Sequence, residues 1–211
     1  MPRTQLTSPD QVAVLHLAPD PDQPWWVVRQ HRTDTNPAWS VKFGARTPVE
    51  IIAALTDALT APAAAPAVGS PYEPLLAAGW RPGRDHDGLT SPDGIAHVEH
   101  FTDNGFNSCF IDVAVSGDPE GQVWKAFLSG STPPHLVTAV TRALADPTPI
   151  ARDPHRLPDL GHHLHTTTVQ VPAADVAFAL ERRIEALTTL RPNTTPSAAP
   201  PAAPPSPRRT R

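Results

Sequence analysis

Hydrophobic and polar positions follow one pattern twice along the chain. In the first half, Trp39, Val41 and Phe43 alternate with Ser40 and Lys42, the period-two signature of a strand with one buried face. Directly afterwards Ile51, Ile52, Leu55 and Leu59 fall at helical spacing, a stripe that lets one helix face cover a sheet. The same succession returns as Trp124–Leu128, followed by Leu136, Val137, Val140 and Leu144. Two further apolar runs precede each of these blocks, Val12–Leu17 and Trp25–Gln30 in the first half, Ile95–Phe101 and Cys109–Val115 in the second. Their aromatic and β-branched residues suit a pleated surface. Each half therefore predicts three antiparallel strands and a helix, joined by turn segments such as Asp20-Pro21-Asp22-Gln23 and Gly117-Asp118-Pro119-Glu120-Gly121.

The two halves repeat each other in sequence as well as in pattern. Leu6-Thr7-Ser8-Pro9-Asp10 recurs identically as Leu89-Thr90-Ser91-Pro92-Asp93, 83 residues later. At an offset of 85, Trp39–Pro62 aligns without a gap on Trp124–Pro147, with Thr47/Thr132, Pro48/Pro133, Ala54/Ala139, Thr56/Thr141, Leu59/Leu144 and Pro62/Pro147 identical. The change of offset predicts a loop two residues longer in the second copy, placed around Asp103–Ser108. At the first helix, Thr47 is the expected N-cap, Pro48 the first helical residue and Glu50 the reciprocal partner of a capping box. In the second copy His135 replaces the glutamate.

The expected fold class is α+β: two tandem β-β-β-α modules with their helices on one sheet face. The first module spans residues 6–62, an Ala/Pro linker 63–70, and the second module 71–160. Pro71–Trp80, with Leu75, Leu76 and Trp80, predicts a short helix leading into a strand ahead of the second module. The first copy has no room for it after Met1. Either that module tolerates the loss, or one helix serves both sheets, or the start lies upstream. Within 161–190, His165–Val171 is expected to form a strand and Pro172–Leu190 an amphipathic helix built on Val176, Leu180, Ile184 and Leu187. Residues 191–211, rich in Pro, Ala, Ser and Thr, are expected to be disordered.

The run from Trp39 through Gly44-Ala45-Arg46-Thr47-Pro48 to Thr60 resembles the signature of the actinobacterial "domain of unknown function 317" family. Ala77-Ala78-Gly79-Trp80 followed by Leu89-Thr90-Ser91-Pro92-Asp93-Gly94 is similar to the segment that opens that family's domain. The resemblance covers about residues 6–62 and 71–160 and implies a bacterial cytoplasmic protein with tandem copies. It brings no catalytic, cofactor or ligand residues.

Composition narrows the function classes. The 211 residues carry a net charge of −4, and basic residues cluster only at Arg208, Arg209 and Arg211. A nucleic-acid binder needs a basic stripe to neutralise phosphates, so the charge pattern argues against nucleic acid as a partner of the folded part. No apolar run reaches the ~18 residues of a membrane span, and the N-terminus lacks a signal-peptide core. No phosphate-binding Gly motif or nucleophile elbow occurs. His97-Val98-Glu99 has the spacing of a zinc deaminase motif without the required cysteine pair; Cys109 is the single cysteine and is expected to be a buried, inert thiol. His155, His162, His163 and His165 sit close in sequence, but ordinary surface histidines explain them better than a metal site.

What remains is an interaction surface. Trp25 and Trp26 must point to opposite faces of a strand, and at the 85-residue offset they correspond to Phe110 and Ile111. If Trp26 and Ile111 face the helices, Trp25 and Phe110 lie on the outer face, with Phe127 a further candidate. The expected function is therefore a non-enzymatic protein-interaction module of the cytoplasm, with no cofactor and an unknown partner or self-association. A nucleic-acid-associated accessory protein, and an unrecognised enzyme or small-ligand protein with a deep pocket between the copies, are the alternatives.

Overall fold

A computed structural model describes residues 3–8, 10–20, 23–61, 69–83, 88–103, 106–115, 121–150, 152, 166–175, 178, 181–182 and 184–185. The chain is mixed α+β, and its two halves share a single antiparallel sheet. The strands are β1 (Thr4–Thr7), β2 (Ala13–Leu17), β3 (Trp26–Gln30), β4 (Trp39–Phe43), β5 (Arg81–Pro82), β6 (Gly88–Thr90), β7 (Ala96–Asp103), β8 (Phe106–Ala114) and β9 (Gln122–Leu128). Their order across the sheet is β1-β2-β3-β4-β9-β8-β7-β6-β5. Helix α1 (Val49–Thr60) follows β4, the short α2 (Glu73–Ala77) precedes β5, and α3 (Pro134–Ala145) follows β9.

Each half contributes at least four strands rather than three before its long helix. The identical Leu-Thr-Ser-Pro-Asp segments are the reason: they form a strand and a tight turn, not a lead-in loop. In the first copy the Asp10 carboxylate accepts from the Ser8 hydroxyl at 2.5 Å and from the Val12 amide at 3.1 Å, while the Ala13 amide donates to Ser8 Oγ at 2.9 Å. Asp93, Ser91, Ile95 and Ala96 repeat these bonds at 2.5, 3.1 and 2.9 Å. Short polar side chains that satisfy nearby backbone amides in this way are strong turn formers.

At the centre of the sheet β4 and β9 pair antiparallel with Val41 opposite Leu128, Lys42 opposite Phe127 and Phe43 opposite Ala126. Under the 85-residue offset Lys42 and Phe127 are each other's counterparts, so an internal two-fold passes between them. The seam is closed by Gly44 N–H to Lys125 C=O and by Ser129 N–H to Ser40 C=O, both 2.9 Å, and these two bonds are also counterparts.

All three helices pack on one face. Ile51, Ile52 and Leu55 of α1, Leu75 of α2, and Leu136, Val137 and Val140 of α3 join Val28, Trp39, Val41, Phe43, Val98, Cys109, Ile111, Trp124 and Leu128 in one core. Phe43, Leu55, Ile111 and Leu128 are fully buried, each stabilising the fold by about 1.5–3 kcal/mol. Trp39 and Trp124 occupy matching buried places at 4% and 7% exposure.

Register corrects two local expectations, and the start of α1 a third. Val28 pairs with Val41 and Ile111 with Ala126, so the 83-residue offset persists through β3 and β8. The counterpart of Phe110 is therefore Val27, not Trp25. The two extra residues lie between β8 and β9, where the register shifts at Val113/Ala114, rather than near Asp103–Ser108. At α1 the N-cap is Pro48 and no side chain caps the helix. The Thr47 hydroxyl is buried without a hydrogen-bond partner, and Glu50 receives both terminal nitrogens of Arg152, one at 2.7 Å. The capping box does not form because the helix begins one residue later than expected, with Glu50 engaged by Arg152 instead.

The chain divides into two units, residues 1–163 and 164–211. In the second, Thr166–Val171 is not a strand, contrary to the expectation for 165–171, since no described neighbour pairs with it. Residues 173–175, 178, 181–182 and 184–185 are helical, with Phe178 and Ile184 more than half exposed. Val176, Leu180 and Leu187, and the tail from 191, lie outside the described residues.

Candidate interaction face

The face of the sheet opposite the helices is organised around the β4–β9 seam. Successive pairings give one row across it: Gln5, His16, Val27 and Lys42 from the first copy, then Phe127, Phe110, Glu99 and Gly88 from the second. The Phe110 and Phe127 rings lie 4.8 Å apart, and the Phe101 ring lies 5.6 Å from Phe110 at an interplanar angle of 16°. Lys42 Nζ sits 5.8 Å from the Phe127 centroid, within cation–π range. Phe110 is 42% and Phe101 37% exposed, values that belong to a surface and not to a core.

Of the three residues singled out from sequence, the structure brings Phe110 and Phe127 together. Trp25 stands just before β3, half-buried, with its indole N–H donating to the Asp20 carbonyl at 3.0 Å; no ring contact joins it to the phenylalanines among the described residues. Phe101 and Lys42 were missed. Both were recoverable: His97, Glu99 and Phe101 alternate along one face of β7, and Lys42 is the counterpart of Phe127.

Charge differs on the two sides of the seam, basic on the first and mixed on the second. Arg29 and Asp112 are counterparts, and so are His16 and Glu99. The first half thus carries Arg29, Lys42 and His16. The second carries Glu99 and Asp112 together with Lys125 and Arg81, and Asp112 also accepts from Gln122 at 2.8 Å. His97 lies against the Thr90 hydroxyl at 3.1 Å.

The helix side offers little convergent chemistry. Cys109 is buried, and burial pushes its thiol up to about 12, opposed by a hydrogen bond with Tyr72. Burial also raises the Tyr72 hydroxyl, and the neighbouring Cys109 adds to that shift. The Tyr72 ring lies 5.0 Å from His100. A thiol held neutral is neither a nucleophile nor a metal ligand. An open groove of about 320 Å³ lies between α2 and α3, lined by Ser70, Glu73, Pro74, Thr138 and Arg142; it belongs to the second copy and not to the junction of the two. Among the described residues no group of three or more His, Cys, Asp or Glu is placed to hold a metal ion. His155, His162 and His163 lie outside them, as does His165. No helix among the described residues is long and apolar enough to cross a membrane.

Two segments of the chain, residues 7–65 and 90–150, match the family model described as "SPDY: Domain of unknown function (DUF317)". The chain belongs to the DUF317 family. Both matched DUF317 segments begin at the threonine before Ser-Pro-Asp and run past the long helix, so each holds one copy of the repeated turn, strands and helix. No curated protein and no solved structure matches the chain.

Proposed function

We propose that this DUF317 protein is a non-enzymatic interaction protein of the bacterial cytoplasm, built from two repeats and binding another protein through the outer sheet face. The observation that carries this reading is the contiguous Phe101–Phe110–Phe127 cluster, with two of its rings more than a third exposed on the side opposite α1, α2 and α3. Exposed aromatics ringed by charge are typical anchors of protein contacts. They also cost solubility, so a face that serves no partner would be better built from polar residues. The sheet itself is a rigid platform, since its opposite side is locked into the shared core.

The test is affinity capture from the producing bacterium with the wild-type chain and with Phe110→Asp, read by mass spectrometry. The expected result is at least one protein retained by the wild type and lost with the variant, whose circular dichroism is unchanged. Identical capture profiles would remove the outer face from the function.

A further inference from the structure

We infer that the outer face pairs with the outer face of a second copy of this chain, in a two-fold arrangement whose axis runs along the strands at the β4–β9 seam. The inference rests on the reading of that face as an interaction surface and names its partner. Its basis is the polarity of the central row. A rotation about that axis lays the first half of one copy over the second half of the other. Lys42 then meets Phe127 of the other copy, Val27 meets Phe110, and His16 meets Glu99. Every contact is made twice, as a two-fold interface requires.

Each of these contacts is chemically complementary. A lysine over the half-buried Phe127 ring repeats between copies the contact already made within one copy at 5.8 Å. Val27, partly exposed, faces the ring of Phe110, which is 42% exposed. The His16 imidazole N–H donates to the exposed Glu99 carboxylate. The alternative two-fold, with its axis across the strands, would set Lys42 on Lys42 and Glu99 on Glu99, which like charges oppose. Within one chain only the Lys42–Phe127 contact is made, across the seam; Val27 and Phe110, like His16 and Glu99, lie on strands that do not neighbour each other.

Size fits a reversible pair. Nine strands about 4.8 Å apart and about five residues long, at about 3.3 Å each, give a face of about 600 Å². Two such faces bury about 1,200 Å², the lower end of stable interfaces.

The experiment is sedimentation velocity on the full chain over a concentration series, with Phe110→Asp, Glu99→Arg and His16→Glu. The expected wild-type result is a mass that rises from one chain to two. Phe110→Asp should weaken the pair about tenfold or more. Glu99→Arg and His16→Glu should each be more monomeric than wild type. An equimolar mixture of these two variants should pair again: one of its two contacts sets the introduced carboxylate against the introduced guanidinium, and the other is native. The mixture keeps the result readable even if Phe110→Asp folds poorly. A wild type that stays monomeric at every concentration, or variants that do not rescue each other, would overturn the pairing. If a host protein is nonetheless captured through Phe110, the interaction face stands and only its partner is wrong; if Phe110→Asp changes neither mass nor capture, both fall.

Discussion

The two copies contain the same leucine in the same strand before the same turn, yet Leu89 is 9% exposed and Leu6 is 60% exposed. Thr141 and Thr56, also counterparts, differ in the same sense: Thr141 is fully buried and donates to the Pro71 carbonyl at 2.6 Å, whereas Thr56 is half-exposed and bonds only within its own helix. One element explains both differences. Helix α2 and the following Trp80 precede only the second copy among the described elements. They add Leu75 and Trp80 to the core and lay Pro71 beside α3. Sequence identity between repeats therefore fixes local backbone and face, while burial depends on what the neighbouring chain supplies.

The widest predicted gap between the copies follows from this. Leu89→Ala should destabilise by about 2–4 kcal/mol, because it empties a packed site, whereas Leu6→Ala should change stability by less than about 0.5 kcal/mol. Urea denaturation of both variants checks it; equal losses would mean that α2 does not shield the second copy.

Alkaline pH should separate the copies next. Cys109 is the counterpart of Trp26, so only the second copy buries a titratable group at this position. Its thiol is raised from 9.0 to about 12 by burial. The folded state thus keeps a proton that the unfolded state releases. Stability from this site is intact below about pH 9 and declines as pH rises toward 12, at up to about 1.4 kcal/mol per pH unit. Thermal melts of wild type and Cys109→Ala between about pH 8 and about 11 should show a shallower decline in the variant. The thiol should also stay unreactive toward a thiol reagent until the protein unfolds.

Much of this organisation was legible in the residues. The strand pattern of Trp39–Phe43 and the stripes Ile51-Ile52-Leu55 and Leu136-Val137-Val140 state their faces directly, because alternation and helical spacing are local properties. The joining of both copies into one sheet was not legible, since an edge strand looks the same in sequence whether it meets solvent or a second copy. Leu6 and Leu89 were read as markers of a repeat and not as strand residues, since three- and four-residue strands are too short to show a period. The outer face was half legible: Phe110 was reached as the neighbour of a core-facing Ile111 and Phe127 only as a further candidate, while Trp25 was matched to the wrong partner because one offset was carried across the bulge at Val113/Ala114.

A smaller contrast lies in the helix flanks. Thr141→Val keeps the shape of the side chain and removes its hydroxyl, leaving the Pro71 carbonyl without that donor. It should cost about 1–3 kcal/mol. Thr56→Val removes a hydroxyl that bonds only to the carbonyls of Ile52 and Ala53 and should be within about 0.5 kcal/mol of neutral. If Thr56→Val proved as costly, α1 would have to be covered as α3 is.

The finest contrast concerns a single backbone angle. In the repeated turn Gln11 has φ 60° and Gly94 has φ 75°, and each donates its amide to the preceding serine carbonyl, at 2.8 and 2.9 Å. The left-handed region strains any residue with a Cβ by about 1 kcal/mol relative to glycine, which is offset in part by glycine's greater freedom in the unfolded chain. A Cβ built at Gly94 meets nothing within 4 Å, so the swap tests the angle alone and no packing. Gln11→Gly should therefore stabilise by about 0.5 kcal/mol, and Gly94→Gln should destabilise by about as much. Opposite signs of similar size in urea denaturation would show that the two turns are energetically the same object. Equal signs would mean that the turn geometry is set by its surroundings and not by the Ser-Pro-Asp segment.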